Sequence, residues 1–312
     1  MPISPPWASL GFVGYVIFEG AGSSGSPIHV RATSCDLKLT QTVEKPDVVD
    51  SKYDKTVYQL GPKEVGGSVA FPAVHEDTET SIQAMWRRAV RRDANGRLSD
   101  MNVVVKYADY NAIFRYGGCI VDTFEFNVAQ GDVVNVTTGI IGINREAAAD
   151  RVIEYGFRNS RIVTWNDATV QIGNTAGILD DDIPSSHIRE FTATLNNNSD
   201  RFYTLNGRLE PQDVAATKRD IDGSVVVMGR HPSLGNLAIT NETRCTERSF
   251  IRFGYSLQTG ECVGSWFIKL PGCVFEVEEI ALTNELFETT INWHALTGAI
   301  YRVGVGDETF EE

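Results

Sequence analysis

The sequence has no long apolar run. Its best candidate, Leu10 to Phe18, covers nine residues and is broken by Gly11 and Gly14, well short of the roughly 18–20 residues a membrane helix needs. Met1 to Leu10 holds no Lys or Arg, so the basic start of a secretory signal is missing and the chain reads as cytosolic where it is made, with no membrane insertion. Cysteine is sparse: Cys35, Cys119, Cys245, Cys262 and Cys273 form an odd, widely spaced set with no C-x-x-C pair. That pattern reads as reduced, mostly buried thiols rather than a disulfide framework. Basic residues are outnumbered, 28 Lys and Arg against 41 Asp and Glu, for a net charge of −13. A surface that grips nucleic acid needs clustered Lys and Arg. The balance excludes such a grip, but not a surface over which nucleic acid passes without sticking.

Chemistry is also scarce. The five histidines (His29, His75, His187, His231, His294) lie far apart, with no H-E-x-x-H and no pair at metal-ligand spacing. His75-Glu76-Asp77 precedes a helix pattern, where acids favour the positive dipole end. Asp180-Asp181-Asp182 lacks the alternation and glycine of a calcium loop and reads as a solvated acidic connection. Gly22-Ser23-Ser24-Gly25 lacks the strand-turn-helix setting of a nucleophile elbow. The chain therefore reads as a non-enzyme that calls for no cofactor and no metal.

What is there is strand. At 312 residues, 42% hydrophobic and 22% charged, the chain has a globular composition and a length that suggests about two domains. Phe124, Phe126 and Val128 alternate with Glu125, Asn127 and Ala129, then Gln130-Gly131-Asp132 turns into Val133 to Thr138. This predicts a hairpin whose strands are buried on one face. Further strand patterns cover Asn102 to Tyr107, Phe191 to Leu195, Val225 to Met228, Phe250 to Tyr255 and Ser265 to Leu270.

One helix stands out. Thr80 and Gln83 form a capping-box pattern, and Ile82, Met85, Trp86 and Ala89 make an apolar stripe, the expected helix core. Arg87, Arg88, Arg91 and Arg92 crowd the last turns, with Asn95-Gly96 as the expected end. The arginines read either as a solvated face or as an assembly contact with an acidic neighbouring subunit. Glu146 to Asp150 carries a short helical signal.

The sequence repeats itself faintly. Gly67-Ser68-Val69 recurs as Gly223-Ser224-Val225, Gly118-Cys119 as Gly272-Cys273, and Thr138-Gly139 as Thr297-Gly298, all about half a chain apart. Three matches in order suggest two copies of one mainly-β unit. The second lacks a clear counterpart to the helix, because Gly229 to Glu247 carries Pro232 and Gly235. The predicted organisation is an N-terminal arm and loop (1–27), a first domain (28–145), a connection (146–187) and a second domain (188–312).

Several segments resemble bacteriophage tail tube proteins. The first half carries the likeness in Val57 to Pro62, Gly66 to Pro72, Met85 to Ala89, Val103 to Tyr107, Tyr116 to Val121, Gly131-Asp132-Val133 and Thr138-Gly139. The likeness covers Ile28 to Ile143 well and Ile188 to Gly298 more faintly. It implies a mainly-β fold of two tandem tube-like β-sandwich or barrel domains, the first with one flanking α-helix. It also implies rings with six tube domains around a DNA channel, so a two-domain chain would form trimeric, pseudo-hexameric rings that stack into a tube. Partners would be further copies of the chain and other tail proteins (a sheath if the tail contracts, tape measure, terminator, baseplate). DNA would pass without specific binding, and the protein would reside in the virion tail after assembly in the host cytoplasm. A single-ring tail component of the same fold (baseplate hub, distal tail or tube-initiating protein) is the alternative, followed by a carbohydrate-binding β-sandwich.

On this reading the lumen-facing candidates are polar residues of hairpin strands. They are Glu125 and Asn127 with Asn135 and Thr137 in the first half, and Glu276, Glu278 and Asn292 in the second.

Overall fold

The computed structural model describes residues 13–21, 25, 27–44, 59–75, 81–107, 112–149, 161–173, 187–228, 249–257, 264–276, 288–295, 299–304 and 307–311. Strands β1 (Val13–Glu19), β2 (Ile28–Val30), β3 (Ser34–Cys35) and β4 (Lys38–Glu44) come first. They are followed by β5 (Gln59–Pro72), β6 (Val74–His75) and helix α1 (Ser81–Val90). Then come β7 (Met101–Tyr107), β8 (Ala112–Ala129), β9 (Asn135–Gly142) and β10 (Asn144–Ala147). The middle of the chain holds β11 (Arg161–Ile162), β12 (Ala168–Gly173), β13 (Ile188–Asn196), β14 (Ser199–Phe202), β15 (Asp213–Ala216) and β16 (Asp220–Met228). The last are β17 (Ser249–Leu257), β18 (Gly264–Glu276), β19 (Glu288–Ala295), β20 (Ala299–Gly304) and β21 (Asp307–Glu311).

The fold is mainly β, with one short helix among the described residues and an antiparallel sheet of 17 strands. One path of neighbours runs β4–β5–β9–β8–β13–β16–β19–β18. Two strands are long enough to serve a second layer. β8 bends at Gly118 (φ 58°) and β18 at Gly272 (φ 75°), a left-handed conformation that glycine adopts without a Cβ clash. On the N-terminal side of the bends, β8 pairs with β7 and β10, and β18 with β17 and β20. β7 in turn pairs with β1, and β17 with β12.

Side chains of these strands meet in one core that extends from Val16 to Trp293 and draws on both halves of the chain. Phe126 and Phe191 lie on adjoining strands and both pack on Phe253, at 5.0 and 4.8 Å between ring centroids. Phe191 also stacks on Trp293. The alternation seen at Phe124 to Val128 has this cause: Phe124, Phe126 and Val128 point into the core, while Glu125 and Asn127 remain partly exposed on the other face.

Helix α1 buries Ile82, Met85, Trp86 and Ala89 together, the stripe expected of it. Trp86 meets Phe124 edge-on at 5.3 Å. The helix stops earlier than Asn95-Gly96, at Val90. Side chains from the second half take its last carbonyls: buried Asn197 donates to the oxygen of Ala89 (2.9 Å) and Arg219 to that of Val90. Asn95-Gly96 forms a separate turn, closed by Asp93, which accepts from the backbone N–H groups of Asn95 and Arg97. Those bonds hold the Asp93 carboxyl below its ordinary pKa.

The helical signal at Glu146 is overruled. Asn144–Ala147 is strand β10, paired with Phe114 to Gly117, and Arg115 of β8 bridges Glu19 and Glu146, each at 3.0 Å. A sheet edge in need of a partner outweighs the weak propensity of a short alanine run. Thr80, Glu76, Asp77, Asp180 to Asp182, Thr297-Gly298 and the segment 229–248 lie outside the described residues.

Candidate polar channel wall

Residues directly opposite one another on neighbouring strands share a sheet face. Thr137 of β9 faces Glu125 of β8, Glu125 faces Thr194 of β13, Thr194 faces Asp222 of β16, and Asp222 faces His294 of β19. A second row lies one pleat away. It runs Asn135, Asn127, Thr192, Ser224, Asn292 and Glu276, from β9 through β8, β13, β16 and β19 to β18. The two rows cross the sheet from one half of the chain to the other, and every side chain in them is partly or fully exposed. The opposite face of the same strands carries Phe124, Phe126, Phe191, Leu195, Val225, Ile291 and Trp293, all buried. Binary patterning thus gives this sheet one dry face and one mostly polar face, on which Val274 of β18, opposite His294, is an exposed apolar residue.

The polar rows hold Glu125, Asp222 and Glu276 and contain no Lys or Arg. Glu276 lies 3.4 Å from His294, both exposed. Glu190, further along β13 opposite Ala129, adds another carboxylate. Arg189 beside it is paired with Glu288. Such a face repels phosphate and offers hydroxyl and amide groups, with the His294 imidazole, between its carboxylates. Among the described residues no group of His, Cys, Asp and Glu is placed to hold a metal ion.

Six lumen candidates therefore sit on one face: Glu125, Asn127, Asn135, Thr137, Glu276 and Asn292. Glu278 lies outside the described residues. Sequence reasoning missed Thr192, Thr194, Asp222, Ser224 and His294, though Thr192 and Thr194 alternate with Phe191, Ala193 and Leu195 in the same way as Glu125 does with its phenylalanines.

The family model described as phage tail tube protein matches residues 8–227. The chain belongs to the phage tail tube protein family. The match takes in β1 through most of β16, including the β8–β13 junction at which the polar rows pass from one half to the other. No curated protein matches the chain. As a tail tube protein it is a structural, non-enzymatic component of the virion tail that assembles with copies of itself and with other tail proteins.

The two ends of this wall differ in texture. At the end where Asn196 and Asp220 pair, the connection 197–219 forms hairpin β14–β15 and exposes Phe202, Tyr203 and Leu205. This hairpin is tied back to the first half: Lys63 pairs with Glu210 (2.6 Å), Arg97 with Asp213 (2.8 Å), and Arg201 donates to the oxygen of Val65 (2.6 Å). At the other end a groove of about 300 Å³ is lined by Val128, Trp165, Ile188, Glu190 and Met228.

Of the four arginines expected at the helix end, Arg88 donates to the carbonyl oxygens of Gly20 and Asp100, and Arg92, past that end, to that of Gly96 (3.1 Å). Those two guanidinium groups are engaged within their own chain. Arg91 is exposed beyond the last helical turn. Among the described residues no helix is long and apolar enough to cross a membrane.

Proposed function

We propose that three chains close into a ring with six tube-like units, that rings stack into the tail tube, and that the polar face lines its channel. The observation that carries this reading is the recurrence of one strand pattern. The path β4–β5–β9–β8, with β7 and β10 on the far side of the β8 bend, matches β13–β16–β19–β18, with β17 and β20 beyond the β18 bend. Cross-strand pairs recur with it: Leu39 opposite Val65 answers Leu195 opposite Ile221, and Val43 opposite Leu60 answers Ser199 opposite Ala216. Each residue and its counterpart are 156 positions apart (195 − 39 = 156). Buried Cys119 and Cys273 follow the two bends. Only the third sequence match shifts, since Asn292 rather than Thr297-Gly298 takes the place of Gly139 opposite the shared serine.

Two such units side by side supply a third of a six-unit wall, and the open edges at β4 and β18 need partners. A channel that conducts DNA must not retain it. A face on which carboxylates outnumber cations meets that requirement, and the net charge of −13 per chain is tripled in each ring. Apolar groups at opposite ends of the wall suit head-to-tail stacking, a heterologous contact that propagates into a filament. Assembly takes place in the host cytoplasm on this reading, with Glu278 as a further proposed lumen residue and Arg87, Arg88, Arg91 and Arg92 as proposed contact residues.

Negative-stain microscopy of the purified protein tests the proposal. Tubes with a regular axial repeat are expected. Isolated rings that never stack would favour a single-ring tail component, and a monodisperse monomer at high concentration would contradict both.

A further inference from the structure

Ile120 and Val274 occupy matching places, each one residue after the buried cysteine that follows a glycine bend. Their surroundings differ sharply. Ile120 is 3% exposed, and Val274 is 46% exposed. Ile120 is covered by Leu98 and by Val214 of β15, with Ala216 packed against the same cluster. The cover thus comes from hairpin β14–β15, which connects β13 to β16, and β13 is the strand that pairs with β8 just past Ile120.

The first half has a matching hairpin in the outer part of β4 and β5, where Val43 stands opposite Leu60. Leu60 takes the place of Ala216 (216 − 60 = 156) and is 55% exposed. Within its chain, then, one repeat has a covered apolar site and the other an uncovered one. One hairpin is seated on its neighbour and the other is not. Among the described residues β4 has only β5 beside it, and Val274 to Glu276 of β18 have only β19.

We infer that a second copy of this chain completes the pattern: its β4 pairs with the edge of β18 at Glu276, and its Leu60 is buried on Val274. The occupant follows from continuity with the seam already present between β8 and β13, and the inference rests on the three-chain ring proposed above. The register is determined as well. Thr123, which pairs with Gly139, corresponds to Glu276, which pairs with Asn292. Asn196 faces Thr123, and the counterpart of Asn196 is Thr40 (196 − 156 = 40). Thr40 of the incoming chain therefore stands opposite Glu276, which continues the second polar row across the subunit boundary. The contact is heterologous, since each chain offers a β4 edge to one neighbour and a β18 edge to the other, and it closes into a ring.

Leu60→Lys and Val274→Glu test it singly and together, by sedimentation velocity and native mass spectrometry at a concentration where the wild type assembles. Both side chains are exposed in the single chain, so thermal unfolding of each variant stays within a few degrees of the dissociated wild type. Each single variant is expected to lose the three-chain species, and the double variant to regain it through a Lys–Glu pair across the seam. Single variants that still assemble fully would overturn this contact while the ring itself stands. A wild type that never forms a three-chain species would overturn the ring, and the contact with it.

Discussion

Glu125 of β8 stands directly opposite Thr194 of β13, on the polar side of the one strand pair that joins the path of the first half to that of the second. Beside it, Phe124 faces Leu195 on the dry side. The same junction therefore carries both the continuity of the core and the continuity of the candidate channel wall.

The charge of that wall is open to direct manipulation. Glu125→Lys with Asp222→Lys changes two carboxylates per chain into cations without touching the buried face. Wild-type assemblies are expected to leave double-stranded DNA unretarded at physiological salt. The double variant should still assemble and should retain DNA with an affinity that falls steeply as salt rises. DNA retention unchanged from wild type in a sheet that still assembles would remove this face from the channel.

Trp86 anchors the helix between the halves, edge-on to Phe124 at 5.3 Å and to Phe253 at 6.5 Å. Truncating a fully buried tryptophan costs about 3–5 kcal/mol through lost transfer energy and the cavity left behind. Trp86→Ala should lower the unfolding free energy by that margin, read as a lower urea midpoint at unchanged slope. A loss below about 1 kcal/mol, within the range of surface substitutions, would mean that the helix is not part of the core.

Asn197 is the other fastener. Its side-chain amide donates to the oxygens of Ala89 (2.9 Å) and Val121 (3.0 Å), one at the helix end and one beside the irregular step between Val121 and Thr123 in the β8–β9 pairing. Asn197→Ala leaves two buried carbonyl groups without that donor, at a cost of about 1–3 kcal/mol each when nothing replaces it. Equilibrium unfolding should register the loss, and hydrogen exchange should show faster opening of the last turn of α1. Unchanged exchange there would contradict the fastening role.

Much of this is legible in the sequence because period-2 patterning reports burial directly: the alternation puts Glu125 and Asn127 on one strand of a hairpin and Asn135 and Thr137 on the other, and those two strands pair. The helix stripe was equally plain, since Ile82, Met85, Trp86 and Ala89 repeat at helical spacing. Asp222 and Ser224 were missed for a physical reason. They flank Gly223, whose small size is demanded by Trp293 and the oxygen of Thr192 lying where a Cβ would be, so the local alternation is interrupted. The helix end at Val90 depends on Asn197 and Arg219, more than a hundred residues away, which no local pattern can contain.

Buried thiols give a pH-dependent prediction. Desolvation pushes Cys119 and Cys273 each up to about 12, and Cys35 to about 11, from an ordinary value near 9. Raised folded-state values stabilise fully below the unfolded pKa, and that stabilisation is lost as pH climbs from about 9 toward 12. Cys119 and Cys273 should resist alkylation at pH 8 until the protein is unfolded, as mapped by mass spectrometry of tryptic peptides, and stability should decline above pH 9. Rapid labelling of Cys119 in the folded protein would contradict its burial.

On the proposal above, three chains make a six-unit ring whose channel is lined by the row of Glu125 and Asp222 and the row of Asn127 and Ser224. Electron cryomicroscopy of the assembled protein tests it most directly. Threefold rings are expected, with a sixfold-like wall of continuous strands, Glu125 and Asp222 facing the channel, and β4 of each chain beside β18 of the next. Six chains per ring, or a channel faced by another surface of the sheet, would contradict it.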